Sequence, residues 1–264
     1  MSRETALPEP TSPELFIVTQ KFQTILGIKF FVGDMDGLLE LCKEGHFIVV
    51  PAAPTLAELP ADAVYRESVE KSDFAITDSG FMVLLWKIFT GQSLPRISGL
   101  KLLRGLLEQP DLKQPGASLW IMPSPREKEI NLTWFQQNGY PITEAECPTA
   151  PMYPKGTIAA PEILAQIEAR RPRYIIINLG GGVQERLGYY LRKNLSYRPT
   201  ILCVGAAIAF ITGIQAHISP WADKWMLGWF YRCLAAPSKF IPRYWRALRL
   251  VGILFKYRER SVAS

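Results

Sequence analysis

The chain has 264 residues and a mass of 29.8 kDa; 48% of it is apolar, 20% is charged, and it contains 13 Phe, 10 Tyr and 7 Trp. That length can bury a sizeable core without crosslinks, and that composition excludes a disordered, collagen-like or coiled-coil chain. The net charge of +6 belongs to the C-terminus: Lys224 to Ser264 hold nine Lys or Arg against the single acid Glu259, while the other 223 residues hold 21 bases and 23 acids. This asymmetry points to a polyanionic partner for the C-terminal segment alone. Four scattered cysteines (Cys42, Cys147, Cys203, Cys233) and two histidines offer neither zinc-ligand spacing nor a disulfide framework, which fits a reducing, cytosolic setting. Residues 1–14 are polar and proline-rich with no hydrophobic signal region, so a disordered N-terminal segment is expected.

Short apolar runs alternate with amphipathic stretches, the pattern of a parallel or mixed α/β sheet. In chain order the pattern predicts a helix over Asp36–Glu44, strands over Phe47–Val50 and Phe74–Ile76, and helices over Gly80–Thr90 and Leu100–Glu108. A strand over Ser118–Ile121, helices over Arg126–Asn138 and Ala160–Arg170, a strand over Tyr174–Asn178, a helix over Gln184–Asn194 and a strand over Thr200–Val204 follow. The strand-then-helix order predicts a Rossmann-like domain over 15–219 with ligands at the carboxyl ends of the strands. The longest uncharged apolar run, Thr200 to Gln215, is too short to cross a bilayer and reads as a buried strand entering a helix.

After Pro220 the texture changes. Trp221, Trp225, Trp229 and Trp245 fall among basic residues, and a helix from Ile241 to Phe255 would line up Ile241, Tyr244, Trp245, Leu248, Val251, Gly252 and Phe255 beside Arg243, Arg246 and Arg249. One reading of 220–264 is a basic aromatic tail lying in the interface of an anionic membrane. The other is an amphipathic helix packed on the body. Nucleic acid is the weaker partner, because the bases are interleaved with Trp and Leu at helical spacing. An exposed aromatic surface under the tail could also serve as a contact between copies in a homo-oligomer.

Three segments could carry chemistry. Tyr174 to Asn178 empties through Leu179 into Gly180, Gly181 and Gly182 and then a helix, so backbone amides can approach a phosphate at a helix N-terminus. The spacing is neither a dinucleotide fingerprint nor a Walker loop, which leaves a nucleoside diphosphate or a glycine turn used for packing. Asp78 ends a short apolar strand before a helical run, where it can act as a general base or as a helix cap. Asp34-x-Asp36 has divalent-metal spacing, but it precedes an apolar-periodic run and reads more simply as a helix cap, so no metal and no cofactor are expected.

Six blocks in consistent order then resemble the WecG/TagA/CpsF bacterial glycosyltransferases. Thr77-Asp78-Ser79-Gly80 resembles the family's Ala-Asp-Gly, Arg96 to Gly99 its Arg-x-x-Gly, and Gly180 to Glu185 its Gly-x-Pro-x-Gln-Glu turn. Val204 to Gly213 resembles its Val-Gly-x-x-Phe-Asp-x-x-x-Gly, while Leu227 to Arg232 and Pro237 to Tyr244 resemble its Leu-Glu-Trp-x-x-Arg and its basic tail. The resemblance implies metal-independent, inverting transfer of a sugar from a UDP-sugar to a polyprenyl-diphosphate-linked acceptor at the inner membrane face. It implies Asp78 as the base, and donor contacts from the glycines, Gln184, Glu185 and Gly205. It also implies that Arg232 and Arg243 complete the site and hold the membrane. The chain departs from the family where Thr-x-Asn falls on Pro51-Ala52-Ala53, Phe-Asp on Ile208-Ala209, Leu-Glu-Trp on Leu227-Gly228-Trp229, and the turn proline on Gly182. A catalytically inactive membrane-peripheral binding or scaffold protein that keeps the fold is therefore the alternative.

Overall fold

The computed structural model describes residues 22–215, 242 and 245–263. The expected N-terminal segment 1–14, together with Trp221, Trp225, Gly228, Trp229, Arg232 and Arg243, lies outside the described residues. The strands are β1 (Phe22–Ile25), β2 (Ile28–Phe31), β3 (Phe47–Val49), β4 (Phe74–Ile76), β5 (Ser118–Ile121), β6 (Tyr174–Ile177) and β7 (Thr200–Cys203). They form one sheet in the order β1-β2-β4-β3-β7-β6-β5. Only β1 runs antiparallel to its neighbour; β2 through β7 pair in parallel.

The parallel strands are apolar on both sides, as a sheet covered on both faces requires. Phe47, Val49, Ile175, Ile177, Ile201 and Cys203 enter one core layer, and Ile48, Tyr174, Ile176 and Leu202 enter the other. The helices are α1 (Met35–Leu41), α2 (Ala53–Leu56), α3 (Ala63–Glu70), α4 (Gly80–Thr90), α5 (Gly99–Glu108) and α6 (Pro125–Gln137), then α7 (Pro161–Arg170), α8 (Val183–Asn194), α9 (Ala207–Ile211) and α10 (Arg249–Tyr257). Local chemistry fixes their starts: the side chains of Asp34, Asp62, Ser79, Ser98 and Ser124 each accept a backbone N–H in the first turn of the helix that follows. Asp34 is thus the N-cap of α1, bonded to the Gly37 N–H at 2.8 Å. Among the described residues no group of three or more His, Cys, Asp or Glu is placed to hold a metal.

The predicted strands and helices from Asp36 to Val204 are all present, with ends that coincide or shift by one to three residues; of the expected helix Ile241–Phe255, Ile241, Arg243 and Tyr244 lie outside the described residues, and the helix described there is Arg249–Tyr257. The sequence reading missed the β1–β2 hairpin and α2 and α3. Both hairpin strands are four residues long, and α3 buries only Tyr65, Ser68 and Val69, too few apolar positions to show a period.

The C-terminal helix combines features of both readings of the tail. It is packed on the body: Ala247, Leu250 and Leu254 are buried in the layer shared with α2 and α4, and Phe255 meets Phe89 of α4 edge-on at 5.8 Å. The chain beyond it is bonded to the β1–β2 turn, with the carbonyls of Arg258 and Glu259 accepting the N–H groups of Leu26 and Gly27. Gly27 has φ +78°, and a Cβ there would stand 2.8 Å from the Ser261 backbone, so the turn needs glycine for both reasons. The predicted apolar face is the one that points away from the core: Trp245, Leu248 and Phe255 are 73%, 50% and 64% exposed.

Candidate active site

The loops that follow β2, β4, β3, β7, β6 and β5 leave the sheet at the same edge, because these strands are parallel. Beyond β4, Thr77 is buried; its hydroxyl donates to the Pro95 carbonyl at 2.5 Å and accepts the Ile97 N–H at 3.3 Å. Those bonds hold residues 95–99 against the end of β4. Asp78 is half-buried there, with its Oδ1 accepting the Gly99 N–H at 3.0 Å and its carbonyl accepting Arg96 Nε at 3.0 Å. The cap of α4 is Ser79, not Asp78. The Asp78 carboxylate instead engages the N-terminus of α5, where the helix dipole favours negative charge.

Beyond β6 the glycine turn opens at the N-terminus of the 12-residue α8. The Gly180 carbonyl accepts the N–H groups of Val183 and Gln184, both at 3.2 Å. The Gly182 N–H points inward to Glu185 Oε2 at 2.6 Å. Gly182 sits at φ +90°, a conformation that a proline ring forbids, so this turn differs in shape from one that carries proline at that place. Gly180 and Gly181 are exposed, and among the described residues their N–H groups have no hydrogen-bond acceptor.

Two of the expected donor-contact residues face inward. Gln184 is 3% exposed; its Oε1 accepts the Gly205 N–H at 2.7 Å and its Nε2 donates to Glu185 Oε1 at 3.0 Å. Gln184 therefore ties the glycine turn to the loop after β7. Glu185 is fully buried, and that burial pushes its carboxyl above the usual range against the hydrogen bonds from Gln184 and from backbone N–H groups. The Tyr65 hydroxyl, also buried, is pushed up first by burial and then by the charge of Glu185.

The loop after β3 closes the other side of the turn. Where the resemblance leads one to expect polar residues, Pro51 and Ala53 are buried, and Ala53 opens the short α2. Thr55, two residues later, approaches so closely that a Cβ on Gly181 would stand 2.8 Å from its Cγ2; its hydroxyl donates to the Ala52 carbonyl at 2.8 Å. Thr55 and Arg186 are site-lining residues that the sequence pattern did not reveal. Arg186 is one residue beyond the Gln-Glu block, and Thr55 lies outside every block. Ala209, where the resemblance expects a carboxylate, is 1% exposed within α9.

The structure thus joins the glycine turn, Gln184, Glu185 and Gly205, and places Asp78 at the same edge of the sheet with β3 and β7 between its strand and that of the turn; Arg232 and Arg243 lie outside the described residues. A search of curated proteins finds no match to the chain. The family model described as the glycosyl transferase WecG/TagA/CpsF family matches residues 23–263, from the first strand of the sheet to the segment bonded back onto it. Over nearly its whole length, therefore, the chain belongs to the WecG/TagA/CpsF family of glycosyl transferases.

Proposed function

We propose that the protein is a hexosyltransferase that moves a hexose or N-acetylhexosamine from a UDP-sugar to a polyprenyl-diphosphate-linked acceptor in cell-surface polysaccharide synthesis, working at the inner face of the plasma membrane. The observation that carries the reading is that Asp78, beyond β4, and the open glycine turn, beyond β6, both lie at the carboxyl edge of one parallel sheet. In the reaction the Asp78 carboxylate takes the proton of the acceptor hydroxyl as that oxygen bonds to the sugar carbon. The bond from that carbon to the UDP β-phosphate oxygen breaks on the opposite side, with oxocarbenium character in between and inversion as the outcome. The electron pair leaves with UDP, whose charge meets the Gly180 and Gly181 N–H groups and the positive end of α8. Arg232 and Arg243 add positive charge from the tail. In this scheme Gln184 and Glu185 are positioning residues: they fix the glycine turn and Gly205, and they do not touch the donor.

The membrane part of the reading rests on one surface. Apart from Met152, every exposed large apolar side chain among the described residues lies on α4 or on the C-terminal helical segment: Leu84, Ile88, Trp245, Leu248, Val251 and Phe255. Exposed Lys87, Arg246, Arg249 and Lys256 accompany them on the same elements, the composition suited to an anionic leaflet. Since α4 begins two residues after Asp78, a bilayer on this face would set the base at a fixed distance from the lipid-linked acceptor. Among the described residues no helix is long and apolar enough to cross a membrane.

The buried apolar positions Ala53 and Ala209 favour the second reading, a scaffold without turnover. Calorimetric titration with a panel of UDP-sugars in the presence of anionic vesicles separates the two: binding of at least one donor supports the transferase, and vesicle association without any donor binding supports the scaffold.

A further inference from the structure

We infer that Arg186 binds the diphosphate of the nucleotide-sugar donor and is held in place for it by Asp62; the inference rests on the reading of the glycine turn as the donor site. Arg186 lies at the start of α8, four residues after Gly182. Its side chain is 9% exposed, and Nη2 pairs with Asp62 Oδ2 at 2.5 Å. The other oxygen of Asp62 accepts the Tyr65 N–H at 2.9 Å at the start of α3, so the carboxylate that holds the arginine is itself fixed. The same Nη2 stands 3.8 Å from the point that a Cβ on Gly182 would occupy, which places the guanidinium against the turn that exposes Gly180 and Gly181.

Two features of this arginine are unexplained by a purely structural role. Its Nε is buried and has no hydrogen-bond partner among the described residues, although buried donors are almost always satisfied and a guanidinium offers five N–H groups. Its charge also lies near the N-terminal end of α8, where the macrodipole is already positive and a cation is disfavoured. Asp62 is a part-exposed carboxylate that faces both the guanidinium and an N-cap, and the other carboxylate near the guanidinium, Glu185, is turned inward to the Gly182 N–H. A diphosphate resting on Gly180 and Gly181 would meet Nη1, which is not buried and has no acceptor among the described residues, and a guanidinium fork suits phosphate oxygens. Arg192 offers the contrast. It also has one unpartnered nitrogen, but it lies in the last turn of α8, where the dipole welcomes a cation, and it pairs with Asp73 at the amino edge of the sheet, away from any phosphate.

The test compares UDP with uridine, which lacks the phosphates, as ligands of the full chain by titration calorimetry. Arg186→Met should weaken UDP binding about tenfold or more, as expected when a charged hydrogen bond to an anion is lost, and should leave uridine binding unchanged. Arg186→Lys keeps the partner of Asp62 and loses only the fork; it should weaken UDP by a smaller factor and again spare uridine. A folded Arg186→Met chain that binds UDP as tightly as the unaltered chain overturns the inference alone, and so does unchanged UDP affinity in Arg186→Lys where the methionine variant does not fold. An unaltered chain that binds neither UDP nor any UDP-sugar overturns the donor-site reading, and the inference with it.

Discussion

Replacing Asp73 with asparagine should destabilise the protein by a calculable amount without touching the reaction. Asp73 lies at the amino end of β4, at the edge of the sheet opposite the site, and its carboxylate accepts the Phe47 N–H at 2.7 Å and Arg192 Nη2 at 2.6 Å, with His46 Nδ1 at 3.8 Å. Burial raises the affinity of this carboxyl for its proton, but the facing His46 ring, the Phe47 N–H and the charge of Arg192 outweigh burial and hold the pKa at about 2 against an ordinary 3.8. A difference of nearly two units corresponds to about 2 kcal/mol of stability at neutral pH, or roughly 4–8 °C in melting temperature for a chain of this size. Because the folded pKa is depressed, this stability is fully present above about pH 4 and is lost as the pH falls toward 2. His46 is raised, first by the facing Asp73 carboxylate, so its contribution is complete below pH 6.5 and fades as the pH rises through its folded value. Thermal unfolding of Asp73→Asn across pH 2.5–8 should therefore show a clear deficit at pH 7 that narrows toward pH 3, with transfer activity unchanged below the melting range. A deficit under about 1 °C at pH 7, or one of equal size at pH 3 and pH 7, would refute the linkage.

Two further perturbations probe the site and the membrane face. Gly180→Val should leave the fold intact, since a Cβ there meets nothing within 4 Å, and should remove UDP-sugar binding by filling the approach to the diphosphate; normal donor affinity would show that the turn only packs. At Gly181 the same change would also press on Thr55, so Gly180 is the cleaner position. The pair Leu84→Ser and Ile88→Ser on α4 should reduce the salt-resistant part of sedimentation with anionic vesicles, and so should Leu248→Ser with Phe255→Ser on the C-terminal segment; full retention in both variants would remove the membrane assignment. Point changes are preferable to truncation, because a chain ending at Ser219 would lose Ala247, Leu250, Leu254 and Val262 from the core.

The sheet was legible because its inner strands are short continuous apolar runs: Phe74–Ile76 and Tyr174–Ile177 need no tertiary information to be found. The glycine turn and Asp78 were legible for a similar reason, as each follows such a run directly. What the sequence concealed is direction. Glu185 reads as a polar residue beside a phosphate loop, yet as the third residue of α8 its carboxylate folds back to the Gly182 N–H and is buried. Likewise the C-terminal periodicity marks one apolar face, but Ala247, Leu250 and Leu254 form a second, and only the packing against α2 and α4 decides which is core. Contacts between loops from different strands, such as Thr55 against Gly181 and Asp62 with Arg186, leave no local trace at all.

The most direct test of the central claim is a product assay on the full chain with a panel of UDP-sugars and a polyprenyl-diphosphate-linked acceptor in anionic vesicles, read by mass spectrometry. At least one donor should yield a lipid acceptor heavier by one sugar, joined with inverted anomeric configuration. Asp78→Asn, whose side-chain oxygen can still accept the Gly99 N–H, should bind that donor normally while the rate falls by about 10²-fold or more. Donor binding without product from any UDP-sugar, or an Asp78→Asn rate equal to that of the unaltered chain, would contradict the account.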